Sequence, residues 1–157
     1  MALAMASGRA GFVVLEGPRF AINWGDIDLR GLSEQAIINK IVAKIAWFLP
    51  DVLILEDAKA KGCRKGDTSR KLIKHIEKQA ELRAIDVRFI ARLAVRRFFG
   101  PQGETNKDKI ARLVARQLPE LERELPKTRK SWDPEQYRMA LFEAASYALT
   151  YFKTHEL

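Results

Sequence analysis

The sequence predicts an α/β fold in which a mixed five-stranded sheet carries helices on both faces. Short β-prone segments separated by glycine-containing turns come first, and this pattern is typical of an antiparallel meander. Strand-like and helical segments then alternate, which is typical of β-α-β crossovers with parallel strands. The length of 157 residues suits a single domain with its own core.

The first three strands are predicted at Ala2–Ala6, Gly11–Glu16 and Phe20–Trp24. Ser7-Gly8-Arg9 separates the first pair and Gly17-Pro18 separates the second. Glycine-containing turns of this length join antiparallel neighbours. We therefore expect the three strands to form a meander.

A helix and a central strand are predicted next. Isoleucines and a valine recur at helical spacing between Ile37 and Ile45. Ser33 is well placed as the N-cap of this helix, and Pro50 ends it. Asp51–Glu56 is then predicted as a strand, and its continuous apolar run suits a position covered on both faces of the sheet.

The remaining strand follows an amphipathic helix predicted from Thr68 to about Arg83. Its apolar residues recur on one face, as expected of a helix that packs on a sheet. The last strand is predicted at Ile85–Ile90, and a short helix after it ends at Phe99. These segments complete the five strands.

Two helices are predicted in the last third of the chain. Thr105 is placed to cap a helix over Lys107–Leu118. Asp133 and Pro134 are a suitable N-cap and first helical residue for the final helix. That helix is predicted to run to about Lys153.

Composition restricts the location and the partners. The net charge of +8 and the isoelectric point near 9.8 favour nucleic acid or an anionic membrane surface as partner. One cysteine and two histidines form neither a disulfide nor a zinc cluster, which indicates a reducing, cytoplasmic location. The sequence lacks a secretory signal pattern and a bilayer-length apolar run, so no membrane-spanning segment is expected. Of the two kinds of partner, we expect nucleic acid and no membrane.

Two acidic residues lie in segments whose other residues are predicted to be buried. Glu143 is the only charged residue between Met139 and Phe152, and Glu56 ends the apolar run of the fourth strand. An ionised carboxylate is costly to bury unless a cation, a metal or several donors meet it. The two acids indicate a metal site facing a polyanion. Alternatively, each forms a structural ion pair with a lysine or arginine.

Four stretches follow the order found in a known family: a glycine-rich turn, a strand ending in an acid, lysines opening a helix, and an acid in an alanine-rich helix. The stretches are Ser7–Phe12, Asp51–Asp57, Thr105–Lys109 and Phe142–Leu149. Through them the chain resembles RuvC-type Holliday-junction resolvases. The resemblance implies the ribonuclease H-like fold, with one domain over residues 1–157.

The resemblance also implies a metal-dependent nuclease site. In the family, acids from the first strand, the fourth strand and the last helix hold two Mg²⁺ ions that assist phosphodiester cleavage. Carried onto this chain, Glu56 becomes the bridging ligand and Glu143 the helix ligand of Mg²⁺ or Mn²⁺. Lys107 or Lys109 would contact the scissile phosphate. Shared coordination requires the two carboxyl groups to lie roughly 4–8 Å apart.

The chain departs from the family at the first strand. An aspartate is expected just before the glycine-rich turn, where this sequence has Ala4, Met5 and Ala6. A second acid expected on the last helix is replaced by Ala140. None of these side chains binds a metal, so cleavage should be impaired.

The acids near the third strand are not expected to replace the missing first-strand ligand. Asp26 and Asp28 are expected after the third strand, which lies away from the fourth, so they are poor substitutes. Three explanations stay open: an inactivated variant, a natural non-catalytic relative, or a protein whose true start lies elsewhere.

Basic residues dominate the loop after Glu56 and the helix that follows it. Nucleic-acid contacts are predicted for Lys59, Lys61, Arg64, Lys65, Arg70, Lys71, Lys74 and Lys78. Arg92, Arg96 and Arg97 add a second patch. The alternative is a merely solvated helix face. Contacts of this kind read backbone and shape rather than sequence.

Three functions are consistent with these patterns. The first is a structure-selective endonuclease that acts on branched or structured DNA with Mg²⁺ or Mn²⁺. The second is a non-catalytic DNA- or RNA-binding module on the same fold. The third is a protein-interaction domain whose charge serves solubility or an acidic partner. The resemblance also implies a possible homodimer, because two symmetric cuts need two sites.

Overall fold

The computed structural model describes residues 1–101, 105–126 and 138–155. Its strands are β1 (Ala2–Ala6), β2 (Arg9–Leu15), β3 (Ala21–Asp28), β4 (Val52–Glu56) and β5 (Asp86–Ile90). They form one sheet in the order β3-β2-β1-β4-β5. The first three are antiparallel neighbours, whereas β4 pairs in parallel with β1 and β5. The predicted mixed five-stranded sheet is confirmed.

Helices cover both faces of the sheet. They are α1 (Glu34–Phe48), α2 (Asp67–Glu81), α3 (Arg92–Phe99), α4 (Lys107–Gln117) and α5 (Met139–His155), with a 3-10 helix over Pro119–Glu124. The apolar sides of α1 and α2 bury one face of the sheet. The other face is covered by α5 together with α3 and α4. Alternate residues of each strand supply the two cores, as the pleat requires.

The third strand is longer than its apolar residues predict. Pairing with β2 continues from Ala21 to Asp28, and Asp28 lies opposite Arg9. Asp26 and Asp28 therefore belong to β3, and the expectation that they follow it is wrong. The cause is backbone hydrogen bonding along β2, which extends a strand regardless of side-chain polarity.

The caps of the helices agree with the sequence in one case and differ in another. Ser33 is the N-cap of α1 and accepts a hydrogen bond from the backbone N–H of Ala36 at 3.2 Å. For α4 the N-cap is Asn106, whose side chain accepts from Lys109, so the assignment to Thr105 is wrong. The predicted start of the last helix at Asp133 and Pro134 lies outside the described residues.

A close crossing at Gly11 sets the position of the last helix. Gly11 lies in β2, and a Cβ atom added there would be only 2.1 Å from the carbonyl carbon of Ala140. The absence of a side chain lets the backbone of α5 approach the sheet this closely. This approach brings the first turns of α5 over β2 and β1, beside the end of β4.

Candidate active site and nucleic-acid surface

Glu56 is held at the carboxyl end of β4 on the face covered by α5. The parallel register pairs Ala2 with Ile54, so Ala4 lies beside Glu56 two residues further along both strands. The Glu56 side chain is only 4% exposed. β4 thus holds the Glu56 carboxylate in a position that is largely inaccessible to water, at the edge of the sheet where β1 and β4 end.

Glu143 reaches the same position from α5. The residues around it on the helix are buried, and Glu143 itself keeps a side-chain exposure of 20%. One turn later, the hydroxyl of Tyr147 donates a hydrogen bond to Glu143 Oε1 at 2.6 Å. Burial, followed by the Glu143 carboxylate, raises the pKa of Tyr147 well above its usual value, so the phenol stays protonated and remains a donor.

Lys65 lies between the two glutamates. Its Nζ atom is 3.7 Å from Glu56 Oε2 and 4.0 Å from Glu143 Oε1. The same ammonium donates a hydrogen bond to the backbone carbonyl of Met5 in β1. The two carboxylates are therefore less than about 8 Å apart, within the range that shared coordination requires. The expected meeting of the glutamates is found, whereas their role as metal ligands stays a prediction.

We call this region the acid pocket and define it by Glu56, Glu143, Lys65, Arg92 and Lys107. Burial raises the pKa of Glu56, and the neighbouring charge of Lys65 opposes that rise. Glu143 raises the pKa of Glu56 further, while the charges of Arg92 and Lys107 lower it. Two acids and three basic side chains give the pocket a net positive charge when all are ionised.

The acid pocket does not fit a pair of divalent metals. Ala4 and Ala140 are buried where the resemblance implies acids. Across the three described ranges, no group of three or more His, Cys, Asp or Glu side chains is placed to hold a metal ion. Mg²⁺ needs several oxygen ligands at about 2.0–2.1 Å, whereas here an ammonium stands between the only two carboxylates of the pocket.

The two candidate phosphate-binding lysines differ in position. Lys107 is the first residue of α4 and lines a cavity of about 50 Å³ that Glu143 also lines. Arg92 and Arg96 lie on the same cavity, whose walls are largely apolar. Lys109 is exposed and does not line it. The geometry therefore brings Lys107, and not Lys109, to the acid pocket.

Seven of the eight basic residues predicted to bind nucleic acid are exposed. They are Lys59, Lys61, Arg64, Arg70, Lys71, Lys74 and Lys78. The eighth, Lys65, is turned inward with an exposed fraction of 18%. The sequence groups it with the surface residues, because four of the six charged residues in the loop 57–67 are basic. Nothing in the sequence distinguishes Lys65 from its exposed neighbours in the loop.

A groove of about 350 Å³ lies between α2 and the edge strand β5. Its basic lining residues are Lys59, Arg70, Lys71 and Lys74, and its acidic ones are Asp57 and Glu77. Phe89 and Ile73 also line it, and Phe89 is 39% exposed. Phe89 was missed from the sequence, although an aromatic residue on an edge strand next to a basic helix was the available signal.

The helices of the described ranges include none that is both long and apolar enough to cross a bilayer.

Two solved structures resemble this one over 98% of the chain. A Thermus thermophilus RuvC structure aligns with a TM-score of 0.66 and 14% identity over 93% of its own length. T. thermophilus RuvC in complex with a Holliday junction substrate aligns with a TM-score of 0.67 and 13% identity over 92% of its length. No family model and no curated protein matches the sequence. The chain therefore shares the fold of these RuvC structures.

Proposed function

We propose that the protein binds branched or structured DNA on the face where β4 and β5 end. One observation carries the proposal: exposed lysines and arginines of the loop after β4 and of the first turns of α2 line a groove with Asp57, the residue that directly follows Glu56. Phosphates are the natural partners of such a surface, because each neutralised phosphate releases condensed counterions. The surface reads the shape and backbone of DNA rather than its sequence.

The α2 side of this surface offers two kinds of contact. Lys71, Lys74 and Lys78 recur along one exposed face of α2 and can follow a phosphate backbone. The groove beside them has Phe89 as an exposed aromatic surface. Bases that are unpaired at a branch point stack on aromatic side chains whatever their identity. A basic rim beside an aromatic surface thus favours DNA that contains both paired and unpaired segments.

The fold supports the same choice of partner. One of the similar structures is of RuvC in complex with a Holliday junction, and the sheet order and helices of this chain follow that fold over nearly its whole length. A four-way junction is therefore the first ligand to test. A homodimer accompanies this proposal, since twofold junctions suit twofold proteins.

Metal-dependent cleavage is a second candidate, favoured by the meeting of Glu56 and Glu143. In that case the two glutamates would hold Mg²⁺ or Mn²⁺, and Lys107 would face the scissile phosphate; Lys109 is the less suited of the two lysines. Against it stand Ala4 in place of the first-strand acid and the ammonium of Lys65 between the carboxylates. We therefore propose binding without efficient cleavage as the main function.

A gel shift with a synthetic four-way junction over a salt series tests binding. The variant Lys71→Gln/Lys74→Gln should bind more weakly, and its slope of log affinity against log salt should fall by about 2, because two phosphate contacts are lost. The matched control is Arg19→Gln/Lys153→Gln, which removes the same charge from exposed positions. Arg19 follows β2 and so lies at the opposite end of the sheet.

Equal losses in both double variants would contradict a localised surface. Weak affinity with little salt dependence in the parent protein would favour the protein-interaction alternative. Incubating the junction with Mg²⁺ or Mn²⁺, with Glu56→Gln as the control, tests cleavage. If the parent protein cuts the junction and the Glu56→Gln variant does not, metal-dependent cleavage is established.

A further inference from the structure

We infer that Lys65 is the resident cation of the acid pocket, and that this pocket receives a phosphate of the bound nucleic acid without a divalent metal. The inference has two parts. The lysine half, that Lys65 occupies the acid pocket, concerns only this chain and can be tested without DNA. The phosphate half, that the pocket receives a phosphate, rests on the proposed function.

Lys65 contacts the three elements from which the resemblance implies metal-binding acids. Its ammonium pairs with Glu56 on β4 and with Glu143 on α5, and it donates to the Met5 carbonyl on β1. On β1 the residue beside Glu56 is Ala4, which offers no charge. A single ammonium therefore fills the space between the first strand, the fourth strand and the last helix.

A divalent ion in the acid pocket would lie close to this ammonium. Ligation by both carboxylates places an ion about 2 Å from an oxygen of each, and Lys65 Nζ is 3.7 and 4.0 Å from those oxygens, so the two cations would be at most about 6 Å apart. The two cations repel each other strongly at such distances, because a half-buried pocket screens charge less than water does. The lysine is also tied to Met5, so leaving the pocket breaks a hydrogen bond.

The remaining charges favour an anion. Arg92 and Lys107 act on Glu56 from the α3 and α4 side, so the acid pocket carries more positive than negative side chains. An ammonium has three donors, and Lys65 donates one hydrogen bond to the Met5 carbonyl. Lys65 and Lys107 can therefore both face a phosphate, with the glutamates holding Lys65 in position.

Calorimetric titration of Mn²⁺ into the full chain tests the lysine half. The parent protein should show no saturable binding at millimolar Mn²⁺. Lys65→Met should bind Mn²⁺ at least about tenfold more tightly, because the competing charge is gone. Lys61→Met removes the same charge from an exposed position in the same loop and should not gain Mn²⁺ affinity.

A second variant controls for an effect of the first substitution on folding. Lys65→Gln keeps a hydrogen-bond donor for Met5 and removes the charge, so it should gain Mn²⁺ affinity with a native circular dichroism spectrum. Adding Glu56→Gln to Lys65→Met should abolish the gained binding. Mn²⁺ binding by the parent as tight as by Lys65→Met would overturn the inference. So would a folded Lys65→Gln protein that binds no Mn²⁺.

Junction affinity at constant ionic strength tests the phosphate half. The parent should bind equally well in EDTA and in Mg²⁺, and Lys65→Met should lose affinity in EDTA. A tenfold rise in the affinity of the parent on adding Mg²⁺ would overturn the metal-free pocket. If the parent binds no junction at all, the proposed function and the phosphate half fail together, while the Mn²⁺ titration still decides the lysine half.

Discussion

Replacing Gly11 with alanine should push the last helix away from the sheet and separate Glu143 from the acid pocket. A Cβ atom on Gly11 would lie 2.1 Å from the carbonyl carbon of Ala140, 2.2 Å from its oxygen and 2.3 Å from the nitrogen of Leu141. All three are backbone atoms. No side-chain rotation relieves the overlap, so the helix itself has to move.

The size of the effect follows from the distances. Carbon atoms pack at about 3.5–4.0 Å, so a contact at 2.1 Å requires α5 to withdraw by roughly 1.4–1.9 Å. Because α5 is buried on nearly every side, withdrawal opens gaps along its length. Overpacking of this kind costs about 3 kcal/mol or more. For a chain of this size the melting temperature should fall by about 6–12 °C.

Thermal unfolding followed by circular dichroism measures this effect, with Gly25→Ala as the matched control. A Cβ atom on Gly25 would lie 3.1 Å from a ring carbon of Phe12, and a ring can shift by a few tenths of an ångström. Alanine is also better than glycine within a strand by about 0.5–1 kcal/mol, so the control should melt close to the parent. If Gly11→Ala melts within about 2 °C of Gly25→Ala, the reasoning is wrong.

Three further predictions concern single side chains. Burial raises the pKa of Asp26 above 3.8, against the opposing charges of Arg138 and Arg9. The stability that the protonated Asp26 carboxyl contributes is complete below pH 3.8 and is lost as the pH rises through the folded pKa of Asp26. In urea unfolding, Asp26→Asn should therefore be more stable than the parent at pH 7 but not at pH 3. Asn106→Ala should cost about 1 kcal/mol in the same assay because α4 loses its cap, and an unchanged midpoint would contradict the assignment. Tyr147→Phe should cost about 1.5 kcal/mol by removing the donor to Glu143. The check is a Glu143→Ala background, which has no acceptor and in which this loss should disappear.

The fold could be predicted because each element carries a local pattern. The glycine turns of the meander, the apolar run at Val52–Glu56 and the helical spacing after Ser33 each specify an element without knowledge of the others. The order of those elements leaves few topologies, since crossovers between parallel strands have one hand. The end of β3 was missed because backbone pairing with β2 determines it, and apolar content does not.

The candidate site could be predicted only in part, for a physical reason. Glu56 and Glu143 stood out because each is a lone charge in an apolar segment, and burying a charge demands a partner. That partner could not be identified from the sequence, because Lys65 is one of several similar cations in a flexible-looking loop. Its inward orientation depends on the Met5 carbonyl and on both carboxylates at once, which is a tertiary relation. Phe89 was missed for the same reason, since its exposure depends on how far α2 covers β5.

The acids and the lysine of the pocket depend on each other. Two carboxylates held this close raise each other's free energy, and Glu56 is too buried for water to screen the repulsion. A cation between them removes that cost, and either a metal or an ammonium can supply the charge. An ammonium carried by the chain is always present and needs no third acid. A pocket with Ala4 on the first strand beside Glu56 and Glu143 is therefore consistent, because the ammonium needs two carboxylates as partners but not the further acid that a metal pair requires.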